Sequence, residues 1–151
     1  MAILECGINI GIKNLIEIKY YSSSDNLLDP NLRAGFLTAL ESFTSEVFGD
    51  DINVISLARF KLVCYCELVQ LPGNDAENTQ PLLSFAIIEK GTDVQVVKEQ
   101  LNEIISHFLN RYSLNDIFSK KNKYFKNFEA RINEILGDLK LKTEDRFRSI
   151  F

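Results

Sequence analysis

One histidine, three cysteines, two glycines around a turn and a few neighbouring carboxylates are the residues with the chemistry of a site in this 151-residue chain. Acyl or phosphoryl transfer by a side-chain nucleophile needs a base and a group to orient that base. His107 is the only imidazole, beside Phe108, and no G-x-S-x-G sequence is present. It reads as a structural or surface histidine on a helix. Gly7 and Gly11 are followed by Ile12-Lys13-Asn14 rather than by the Gly-Lys-Ser/Thr of a phosphate loop, so they read as residues flanking a strand turn. Asp50-Asp51 and the i, i+4 pair Glu99 and Glu103 are formal acid–base candidates. The first pair falls in a helix-to-strand turn and the second on a polar helix face, and neither pattern predicts a dry pocket. Cys6, Cys64 and Cys66 lack the spacing and the further ligands of a zinc site, and they read as small buried thiols in a reducing compartment. The chain is therefore expected to be non-catalytic, with no cofactor and no metal.

The elements that would position any site follow from hydrophobic patterning. Ile3 to Ile10 is an apolar run broken by Glu5 and Asn9, the signature of a buried strand, and Gly11 allows a tight turn. Ile12, Ile16, Ile18 and Tyr20 then alternate with Lys13, Glu17 and Lys19, which predicts a half-exposed second strand with Ile12 on the inner face. Asp29 and Pro30 suit the N-cap and first position of a helix. Leu32, Phe36, Leu40, Phe43 and Val47 fall on one helical stripe, and Gly49 suits the C-cap. Ile52–Leu57 and Phe60–Val69 read as strands, Leu71–Pro81 as a long polar hairpin loop, and Leu82–Glu89 as a central strand covered on both faces.

After Gly91, Thr92 and Gln95 have capping-box spacing at the start of a helix whose stripe is Val94, Val97, Leu101, Ile104, Ile105, Phe108 and Tyr112. Ser113–Phe118 is a short connection with room for one helical turn. A last helix is expected over about Lys121–Leu139, with Phe125, Phe128, Ile132, Ile135 and Leu136 inward. Residues 140–151 form an extension or tail.

Bulk composition bounds the function. A 46% hydrophobic, 25% charged chain of this length is an ordinary globular domain with enough core to fold without staples. No apolar run reaches the length of a membrane span, and the N-terminus lacks a secretory n-region, so a cytoplasmic protein is expected. The net charge of −4 is unevenly spread: residues 119–151 carry nine basic and five acidic groups, the rest eight basic and sixteen acidic. Such asymmetry suits either a solvated helix face or an orientation toward an acidic partner or an anionic membrane. An acidic chain without interleaved surface aromatics argues against nucleic acid.

The element order is β-β-α-β-β-β-α-α. Carried by Ile12–Tyr21, Asp29–Phe43 (with Gly35-Phe36-Leu37 and Ser42-Phe43), Phe60–Glu67, Leu82–Glu89 and Val94–Tyr112, it resembles the longin fold over residues 1–139. That fold is shared by vesicle SNARE N-terminal domains, small adaptin subunits, the signal-recognition-particle receptor and trafficking-complex subunits. The Gly35–Phe43 segment also looks like the longin-type proteins of Asgard archaea. Roadblock proteins are related but begin with a helix, and no SNARE heptad segment or GTPase motif set accompanies the match.

The resemblance implies an α/β (α+β) sandwich with a five-stranded, mostly antiparallel sheet of order 2-1-5-4-3. One helix would lie on one face and two on the other. It further implies homo- or heterodimerisation through the third strand and the first helix, and binding of a small GTPase or another longin or roadblock protein. The implied partner-binding residues are Leu37, Glu41, Ser45, Ile52, Asn53, Val54 and Ser56, with Arg59 and Lys61 at the rim. The competing reading is a small-molecule sensor of the PAS or GAF kind, which needs a cavity between sheet and helices.

Overall fold

A computed structural model describes residues 2–20, 35, 54–57, 60–70 and 79–140. The first strand, β1 (Ile3–Ile10), is buried along its whole length, polar residues included. Asn9 accepts a 2.7 Å hydrogen bond from the Asn14 side chain, so its interruption of the apolar run is compensated within the hairpin. Gly11 turns the chain at φ +56, a conformation in which a β-carbon is strained, and its N–H donates to the Pro81 carbonyl at 2.9 Å.

The second strand, β2 (Lys13–Lys19), pairs antiparallel with β1. Here the expected placement of Ile12 is overturned: it sits on the turn and is 79% exposed. The physical reason is a bulge. Ile8 opposes Ile16 and Asn9 opposes Asn14, so Leu15 is an extra residue on β2. The alternation changes phase there, and Leu15 and Ile16 are both buried, which ideal period-two alternation forbids.

β4 (Phe60–Gln70) and β5 (Thr79–Glu89) form a long antiparallel ladder, and β5 also pairs with β1. The expected loop over Leu71–Pro81 is too long: Thr79, Gln80 and Pro81 already pair with Gln70, Val69 and Leu68. Pro81 is tolerated because its carbonyl points toward Gly11, so the missing N–H lies on that same side and costs β4 no ladder bond. The four long strands lie in the order β2-β1-β5-β4. The short β3 (Val54–Leu57) runs along the far edge of β4, with Val54 opposite Val63 and Leu57 opposite Phe60. The architecture is α+β, built on an antiparallel sheet.

Helix α1 (Val94–Arg111) buries Val97, Leu101, Ile104, Ile105 and Phe108, the expected stripe. Its N-cap is Asp93 rather than Thr92: the carboxylate accepts from the Gln95 and Val96 amides at 3.0 and 3.4 Å. Thr92 is buried instead, donating from its hydroxyl to the Ala2 carbonyl at 3.4 Å. A short helix, α2 (Leu114–Ser119), follows, capped by the Ser113 hydroxyl.

The single helix expected over Lys121–Leu139 is divided. Asn122–Phe128 is a 3-10 helix, α3 covers only Glu129–Leu136, and Gly137 ends it at φ +51 before a further 3-10 turn. Phe125 and Phe128 are the buried residues of the 3-10 segment. With three residues per turn, side chains three apart eclipse, and both rings reach the core from one line. The last described residue, Lys140, bridges Ile3 in parallel.

All of these helices share one core with the sheet face that carries Cys6, Ile8, Val63, Ala86 and Ile88. Alternation puts Glu5, Gly7, Leu62, Cys64, Leu83, Phe85 and Ile87 on the opposite face, and every one of the side chains among them is buried too. The helix expected over Asp29–Val47 and the tail beyond Lys140 lie outside the described residues.

Candidate interaction surface

Among the described residues the groups with chemical potential lie apart from one another. His107 lies on the outer side of α1 beside Glu103 at 3.7 Å, both partly exposed, and Glu99 shares that solvent-facing side. The one buried hydroxyl of β5, Ser84, is occupied in donating to the Leu101 carbonyl at 3.0 Å, which fastens α1 to the sheet. No cluster of three metal-ligating side chains is found among the described residues. Asp50 and Asp51 lie outside them.

The thiols are set toward inertness. Burial pushes Cys6 up to about 12 from an ordinary 9.0, and burial, with Cys66 beside it, pushes Cys64 higher. Cys66, half-buried on the same face, is raised by burial and by Glu67. Iodoacetamide at pH 8 is therefore expected to leave Cys6 and Cys64 unmodified until the chain is unfolded, as peptide mapping would show. The folded state holds these protons more tightly, so their contribution to stability is complete below about pH 9 and is lost as pH rises toward 12. Each such thiol should cost about 1 kcal/mol per pH unit over that window, measured as a falling urea midpoint.

The space between α1 and the sheet is occupied by side chains. Phe108 is fully buried and its ring centroid lies 5.0 Å from Tyr112, 5.4 Å from Phe125 and 5.1 Å from Phe128. These tilted and edge-on contacts add to the area the rings bury. They hold the 3-10 segment against the end of α1. Tyr20 joins the same layer from the end of β2, its hydroxyl donating to Asn133 of α3 at 2.5 Å, and burial pushes that phenol well above its ordinary range.

Of the residues expected at a partner surface, Val54 and Ser56 lie in β3, and Lys61 lies opposite Ser56 on β4. Ser56 is exposed and Lys61 half-buried. Leu37, Glu41, Ser45, Ile52, Asn53 and Arg59 lie outside the described residues. Among the described residues no strand pairs with the outer side of β3, which is an end of the sheet. An edge of this kind presents a row of backbone donors and acceptors to solvent or to another chain.

At the opposite sheet edge, β2 faces the 3-10 segment across an open groove of about 380 Å³ lined by Asn14, Glu17, Asn122, Lys123, Lys126 and Glu129 along with Leu15 and Ile16. The Lys13 ammonium donates to the Lys120 carbonyl at 2.7 Å and ties the β1–β2 turn to this segment. Lys120 in turn places its ammonium 5.4 Å from the Tyr124 ring centroid. Sequence patterning singles out the basic segment over residues 119–151. It does not bring the β1–β2 turn to it, because that contact spans more than a hundred residues.

No helix among the described residues is long and apolar enough to cross a membrane. Compared with protein-family models and with curated proteins, the chain matches neither a family model nor a curated sequence.

Proposed function

We propose that the chain is a longin-type adaptor of the cytoplasm, a non-catalytic subunit that binds a small GTPase or another longin or roadblock protein in regulation of the membrane-trafficking kind. In this reading the sheet has five strands, residues 29–48 form a helix on the face away from α1, and the domain ends near residue 139. The observation that carries it is the strand order. A leading hairpin β1–β2 and a later β3–β4–β5 meander join through an antiparallel β1–β5 pairing, and the helices after β5 pack onto one face. That is the arrangement the resemblance implies.

The docking surface is then the outer side of β3 with the helix before it: Leu37, Glu41, Ser45, Ile52, Asn53, Val54 and Ser56, rimmed by Arg59 and Lys61. A strand added to an edge gains main-chain hydrogen bonds, and a flanking helix supplies side-chain specificity. An interface of standard size, about 1,600 Å² in total, suffices for a specific complex.

Sedimentation tests the self-associating form of this assembly. The wild-type chain is expected to show a mass that rises with concentration, whereas Val54→Pro remains a monomer with unchanged circular dichroism. Val54 is the first residue of β3, where proline is tolerated within the domain's own sheet. Proline there cannot donate to an incoming strand. A wild-type chain that stays monomeric at every concentration contradicts the homodimer.

A further inference from the structure

We propose that the β1–β2 turn and the lysine-rich segment after α2 form one docking patch for an anionic phospholipid bilayer. Ile12 is 79% exposed at the tip of the Gly11 turn, the most exposed large apolar side chain among the described residues. An aliphatic side chain so placed is free to enter the headgroup region of a membrane. Exposed lysines lie on the segment to which this turn is bonded. Lys13 follows in sequence and is bonded to the Lys120 carbonyl at 2.7 Å, and Lys121, Lys123 and Lys126 continue the run. Tyr124, 47% exposed between them, supplies an amphipathic ring of the kind that favours the membrane–water interface.

The acids facing this patch are Asp116, which accepts the Tyr124 hydroxyl at 3.0 Å, together with Glu17 and Glu129 on the groove. Five lysines against three carboxylates leave a positive patch on a chain whose net charge is −4. Charge complementarity therefore selects an anionic partner. The exposed isoleucine and tyrosine favour a bilayer over a purely polar polyanion, because lysine stems and apolar tips can be buried while the ammonium groups meet phosphate. The patch lies at the β2 edge, across the sheet from β3, so its failure would leave the edge-strand reading untouched.

The test is co-sedimentation of the full chain with phosphatidylcholine vesicles, with and without phosphatidylserine, over a range of salt. The chain is expected to pellet only with the phosphatidylserine vesicles and to be released as salt rises. Each lysine near an anionic surface contributes about fivefold to partitioning, so Lys121→Gln/Lys123→Gln should lose about 25-fold. Ile12→Ser should lose about fivefold through its missing apolar contact. Both variants alter exposed side chains and should keep the wild-type circular dichroism. Lys90→Gln, at the far end of β5, is the control and should bind as wild type. Equal pelleting with phosphatidylcholine alone, no pelleting at low salt, or losses in both patch variants no larger than in Lys90→Gln would each overturn the proposal.

Discussion

Replacing Phe108 by alanine is expected to remove about 3–5 kcal/mol of stability, the largest loss of any single truncation in the described core. Phe108 is fully buried, and three aromatic rings meet it within 5.4 Å. Its removal opens a cavity where α1, the 3-10 segment and the sheet face meet, and the surrounding rings can relax only in part. The penalty has two parts, the lost transfer of the ring from water and the void left behind. For a domain of this size the melting temperature should fall by about 10 °C. Phe108→Leu, which keeps most of the volume, should cost less than half as much. Urea denaturation of the three proteins measures this, and a loss under about 1 kcal/mol for Phe108→Ala would contradict the packing described.

The second large effect is expected at Gly7 in β1. A β-carbon built there meets the Ile16 carbonyl oxygen at 2.4 Å and the Phe85 ring at 2.6 Å. The carbonyl belongs to the neighbouring strand and cannot swing aside. The ring is 2% exposed. Gly7→Ala should therefore cost about 3 kcal/mol, at the upper end of overpacking penalties. Gly7→Val should cost more. Phe85→Leu in the same chain should recover part of this loss, because it relieves the ring contact and leaves the carbonyl contact in place. The signature is a double-mutant cycle in which the two changes together cost less than the sum of each alone. Strict additivity would mean that the two residues do not touch.

These two sites also show what was and was not legible in the amino-acid sequence. The apolar run Ile3–Ile10 and the stripe Val97–Leu101–Ile104–Ile105–Phe108 were legible because burial repeats with the period of the element, two in a strand and 3.6 in a helix. Gly11 was legible as a turn. That Gly7 is a site of close approach was not, since it requires Phe85 of a strand nearly eighty residues away.

The inward placement of Ile12 failed because period-two counting carries no information about a bulge, and one extra residue at Leu15 shifts every position before it. The expected Thr92 cap gave way to Asp93 because the Thr92 hydroxyl bonds to the Ala2 carbonyl of the strand region, a contact ninety residues away in sequence. The 3-10 winding of Asn122–Phe128 was hidden because phenylalanines three apart suit an α-helix and a 3-10 helix equally. The same limits apply to the surface. The basic excess after residue 119 was countable, but its union with the Ile12 turn is a tertiary fact.

The two proposed surfaces would divide the work of an adaptor in space. The β3 edge would hold a protein partner, and the β2 edge with its lysines would meet the membrane on which such partners act. Neither requires a catalytic group.

The most direct measurement is capture from the source cell with wild-type and Val54→Pro chains as parallel baits, each lysate loaded with GDP or with a non-hydrolysable GTP analogue, and the retained proteins identified by mass spectrometry. The account predicts that the wild-type bait retains a small GTPase or a longin or roadblock protein and that Val54→Pro loses it while remaining folded. Retention of the same proteins by both baits, or of no protein of these classes by either, would contradict it.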